Sequence, residues 1–74
     1  MATWWLSFAD TGKPDRFLGV VIVSANDLSE AVKRTWELGV NPGGEITSAE
    51  MPTGMFHEEW YDRLLSEEEA DALA

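Results

Sequence analysis

The sequence predicts a small single-domain α+β fold in the order β-β-α-β-α, a three-stranded sheet with one main helix packed on it. Three observations carry that reading. Residues 17–25, Phe-Leu-Gly-Val-Val-Ile-Val-Ser-Ala, are apolar at both side-chain parities, as a central strand covered on both faces requires. Residues 3–9 alternate, with Trp4, Leu6 and Phe8 on one side and Trp5, Ser7 and Ala9 on the other. Leu28, Ala31, Val32, Thr35 and Leu38 recur at helical spacing behind a capping signal.

Taken in order, Thr3 to Ala9 is the first strand and sends one indole to each side of the sheet. Asp10 to Arg16 is rich in turn residues: Gly12 tolerates positive φ, and Pro14 cannot donate to a ladder. Strands one and two are therefore expected to form a hairpin with a long loop. In the second strand, strict alternation puts Phe17, Val21 and Val23 on one face and Leu18, Val20 and Ile22 on the other. Its β-branched residues, together with Gly19, argue against a buried helix.

Asp27 followed by Glu30 is an N-terminal capping pair, and Gly39 stands where a left-handed C-terminal cap belongs. Trp36 lies at the edge of the apolar stripe, where a place in the core is favoured over an exposed one. Pro42 and Gly43 suit the two corners of a type II turn. Residues 46–51 form the third strand, which Pro52 ends. That strand lies either parallel to the second through a right-handed crossover or antiparallel on the other edge.

Phe56, Trp60 and Leu64 recur every four residues, so residues 53–65 are expected to contain a short second helix. Ser66 to Glu69 is a capping box, with Leu65 placed to staple onto Ala70, and residues 70–74 form a short terminal helix.

Composition limits function. The 74 residues hold one core, and folding at this size buries roughly 60% of the unfolded chain's surface. Without cysteine, neither disulfides nor a thiolate metal site can add stability, which makes a homo-oligomer the expected supplement. The net charge is −9, and −6 of it falls in the acidic segment 57–74. Direct nucleic-acid binding is therefore not expected. Residues 1–4 show no basic leader and no apolar run approaches a membrane span, so a cytoplasmic protein without membrane contact is expected.

No catalytic residue, metal ligand or cofactor site stands out. His57 is the only histidine, His57-Glu58-Glu59 lacks the second histidine of a zinc helix, and the acids lack calcium-loop spacing. Binding is better supported. Trp4, Trp5, Trp36 and Trp60 are more indole than so short a chain easily hides, and exposed ones suit a protein interface or a planar ligand. The Asn41-Pro42-Gly43-Gly44 corner leaves backbone N–H groups that suit an anion.

The strings Trp4-Trp5-Leu6-Ser7-Phe8-Ala9-Asp10, Phe17-Leu18-Gly19, Leu38 to Glu45 and Arg63-Leu64-Leu65-Ser66 resemble small proteins of bacteriophages and prophage-bearing bacteria. The likeness covers most of the chain. It implies a phage origin, hence residence in the host cytoplasm, and by analogy a counter-defence role without catalysis. The leading expectation is an oligomeric pocket that sequesters a phosphate-bearing signalling nucleotide. In it Trp4 or Trp5 stacks on a base, the backbone of Asn41, Pro42, Gly43 and Gly44 meets a phosphate, and Lys13, Arg16 or Arg34 neutralises charge. The alternatives are an acidic inhibitor or adaptor that binds a host protein, with the acidic segment imitating nucleic acid, and a minor structural or regulatory phage component.

Overall fold

The computed structural model describes residues 1–10 and 12–73, leaving aside the side chains of Lys13, Pro14 and Asp15. The chain runs β1 (Ala2–Asp10), β2 (Lys13–Ala25), α1 (Leu28–Glu37), β3 (Glu45–Met51), a 3₁₀ turn (Glu58–Trp60), β4 (Leu64–Leu65) and α2 (Glu67–Leu73). The α+β class is as expected. The sheet, however, has four strands rather than three, in the order β3-β1-β2-β4.

All three strand pairings are antiparallel. β3 therefore takes the second of the two placements open to it: it pairs with β1 and not with β2. The helix between β2 and β3 carries the chain across one face of the hairpin to its far edge. β4, absent from the sequence reading, pairs only Leu64 and Leu65 with Val21 and Val20, too short a run to show alternation.

The long hairpin loop is also corrected, because β2 begins at Lys13 and Asp10 pairs with it. The pairing is irregular there. Phe8 faces Gly19 while Ala9 faces Phe17, so Leu18 is the extra residue of a bulge. The bulge exchanges the two faces of β2: Leu18 joins Val21 and Val23, and Phe17 joins Val20 and Ile22, which reverses the expected placement of Phe17 and Leu18. Gly19 makes this possible. Its φ is +143°, and a β-carbon there would stand 2.8 Å from the Leu65 carbonyl oxygen.

β2 is covered on both faces, as its sequence requires. On one side α1 closes a cluster of Leu6, Phe8, Val21, Val23, Ala25 and Ala31. On the other, α2 and the preceding segment cover Val20, Ile22, Phe56, Leu65 and Ala70. Each fully buried aliphatic side chain contributes about 1.5–3 kcal/mol before the entropy of ordering it.

α1 begins as its sequence predicts: the Glu30 N–H donates to Asp27 Oδ1 at 2.8 Å. The Glu30 carboxylate reaches one residue further back than a simple capping box, to the N–H of Asn26. At the other end Gly39 adopts φ +71° and donates to the Trp36 carbonyl. Residues 53–65 contain no α-helix. They form turns, the 3₁₀ segment and β4, with Asp62 at φ +63° and its N–H bonded to the Ile22 carbonyl at 2.9 Å. α2 starts earlier than expected, at Glu67, on a complete capping box: the Glu69 N–H donates to Ser66 Oγ and the Ser66 N–H to Glu69 Oε1, both at 3.2 Å.

Candidate functional site

The residues expected to hold a nucleotide are spread over the molecule. Trp4 lies on the α1 face, where its indole N–H donates to the Ala25 carbonyl at 3.2 Å, and Trp5 lies on the α2 face. Arg34 faces Asp62 at 3.4 Å. Arg16 is exposed, and the Lys13 side chain lies outside the described residues. Glu45 and Phe17 flank Ala9 on either side, so the glycine corner and Arg16 do share one end of the sheet. Trp4 and Trp5 are four to five residues away along β1, about 13–17 Å.

The corner itself is braced by its own side chains. Asn41 donates through Nδ2 to the buried Thr35 hydroxyl at 2.9 Å and accepts the Gly43 N–H at 2.7 Å. Thr35 in turn donates to the Val32 carbonyl. Gly43 has the positive φ that the turn predicts, +81°, and Gly44 is also left-handed at +82°. A β-carbon at Gly44 would collide with the Ala9 carbonyl, so Gly44 admits β1 at close range. The Asn-Pro-Gly-Gly string is thus accounted for by the turn that joins α1 to β3.

The four indoles differ in accessibility. Trp4, Trp5 and Trp60 are half-buried, whereas Trp36, expected in the core, is 61% exposed. The buried line of α1 is Ala31 and Thr35, and Trp36 lies one residue past it, turned outward.

A concave strip runs along the α2 face. Its centre is an open apolar groove of about 390 Å³ formed by Trp5 of β1, Ala49 and Met51 of β3, Met55 and Phe56 of the turn segment, and Leu73 of α2. The Trp5 and Phe56 rings stand 5.6 Å apart and form its floor. Met55 is 54% exposed at the rim. Beyond Trp5, a smaller depression of about 210 Å³ is lined by Phe17 and Val20 and bordered by Glu67 and Asp71 of α2. Beyond Phe56, a polar cleft of about 470 Å³ presents the hydroxyls of Thr3, Ser24 and Tyr61 beside Glu58 and Asp62. The Thr3 and Tyr61 hydroxyls are hydrogen-bonded to each other at 3.0 Å. The strip is therefore apolar in the middle and carboxylate-bearing at both ends.

Of the groove's residues sequence reasoning singled out only Trp5, and of its borders the acidic segment 57–74, which carries Glu58, Asp62, Glu67 and Asp71. Phe56 was assigned to a helix, and Met51, Met55 and Leu73 carried no periodic signal. The clue that was present is the run Gly54-Met55-Phe56 two residues after the strand-ending Pro52, two large apolar residues where a polar turn is usual.

Among the described residues, no cluster of three or more His, Asp or Glu side chains is placed to hold a metal ion, and no helix is long and apolar enough to cross a membrane. Comparison of the chain with protein-family models, curated proteins and solved structures gives no match.

Proposed function

We propose that this chain is a non-catalytic protein-binding module that receives an apolar, positively charged segment of a partner protein across the α2 face of its sheet. The observation that carries the reading is the strip's arrangement: an apolar floor of Trp5 and Phe56, with Glu67 and Asp71 at one end and, at the other, Glu58 beside Asp62, which Arg34 already partners. A half-buried aromatic floor supplies contact area at low entropic cost, and flanking carboxylates select for Lys or Arg. The same carboxylates oppose a phosphate-bearing ligand at this site.

Selection of short peptides from a random library on the immobilised protein tests this function. The expected winners combine apolar residues with Lys or Arg and are lost when Met55→Asp places a charge at the groove rim. Winners that are acidic, or that bind Met55→Asp as well as the parent protein, would refute it.

A further inference from the structure

The binding surface has a backbone component as well as side chains. β3 is one of the sheet's two edge strands, β4 being the other, and among the described residues it pairs only with β1, through seven consecutive residues from Ala9↔Glu45 to Thr3↔Met51 without a shift in register. A regular strand presents on its free side an alternating row of N–H and C=O groups. The usual guards of such an edge are missing: β3 contains no proline, lysine or bulge, and its only charges are Glu45 and Glu50. Most of its side chains are exposed.

The apolar groove lies against this edge. Ala49 and Met51 form one of its walls, on the same side of the sheet as Trp5. Ile46 packs with the α1-side cluster, so Ser48 and Glu50, which share its parity, face that other side. A strand added beside β3 would send every second side chain over the groove near Met55 and the intervening ones past Glu50.

We propose that the partner segment binds as an added β-strand along the free edge of β3, with apolar residues at alternate positions over the groove and basic residues opposite Glu50. This inference rests on the protein-binding reading above and specifies its geometry. The occupant is a basic segment and not a second copy of this chain. Each copy carries −9, and pairing two β3 edges would bring two acid-rimmed grooves together. The edge accommodates a segment of about seven residues, roughly 23 Å of extended chain.

The test uses two synthetic peptides of about nine residues and identical composition, one alternating Leu with Lys and one with the same residues in two blocks. Amide hydrogen exchange of the whole protein is followed with each. The alternating peptide is expected to protect every second amide of β3 by roughly tenfold or more, and the block isomer is not. Single N-methylations along the alternating peptide should weaken binding with a period of two. Equal binding of both isomers, protection outside β3, or indifference to N-methylation would overturn strand addition and leave the library result on the α2 face standing. Protection of β3 in the peptide-free protein that grows with its concentration would overturn it in favour of a second copy. If the library selection itself yields no basic apolar peptide, the broader reading fails, and this one with it.

Discussion

Asn41 shows how much one side chain does in a chain this small. Its amide ties the end of α1 to the turn that starts β3, through the Thr35 hydroxyl on one side and the Gly43 N–H on the other. Asn41→Ala leaves both without that partner, and Thr35 is fully buried, so a loss of about 1–3 kcal/mol is expected in urea unfolding. Trp36 is the contrasting case. Because it is exposed, Trp36→Ala should change stability by no more than about 0.5 kcal/mol. Leu65→Ala should cost about 2–5 kcal/mol, a large part of the stability of so small a domain. Iodide quenching provides an independent check: the readily quenched part of the fluorescence should disappear in Trp36→Phe. Trp36 also marks a limit of pattern reading, since Thr35 and Trp36 are adjacent at the margin of the α1 stripe and only packing decides which turns inward.

At the scale of elements, α2 is held at its start by Ser66, Glu69 and Arg63. The Ser66 N–H bonded to the Glu69 carboxylate, assisted by Arg63 at 3.0 Å, holds its pKa below the ordinary value of 4.5. Arg63 also lies over the Trp60 ring, 5.2 Å from its centre. A depressed carboxylate contributes stability that is present above the unfolded value and is lost as pH falls through the folded one. Acidification below about pH 4.5 should therefore loosen α2, and in Glu69→Gln that component of the pH dependence should be absent when helix content is followed by circular dichroism. The capping boxes of α1 and α2 were legible because each is written in four adjacent residues. β1, β2 and the helix over the hairpin were legible because their periods are long enough to count. The bulge at Leu18 and Gly19 was not: a single extra residue exchanges the faces of Phe17 and Leu18 without altering composition. The segment 53–65 misled for a related reason, since Phe56, Trp60 and Leu64 share a helical spacing but reach their places through turns and a two-residue strand. The groove was hidden along with it, because its floor joins Trp5 to Phe56 across 51 positions of sequence, and only the fold makes them neighbours.

At the scale of the molecule, charge and topology act together. The −9 charge is concentrated after residue 56, and the fold lays that segment over the α2 face, so Glu58, Asp62, Glu67 and Asp71 border the apolar strip. Binding of a basic segment should therefore weaken as salt rises from about 0.05 to 0.5 M, since the screening length falls from roughly 14 to 4 Å. The most direct test of the account is the affinity of one library-selected peptide, measured by calorimetry, for the parent protein, for Met55→Asp and for Trp36→Asp. The account predicts at least a tenfold loss with Met55→Asp, about 1.4 kcal/mol, and no change with Trp36→Asp. Affinity that survives Met55→Asp and disappears with Trp36→Asp would place recognition on the α1 face and contradict it.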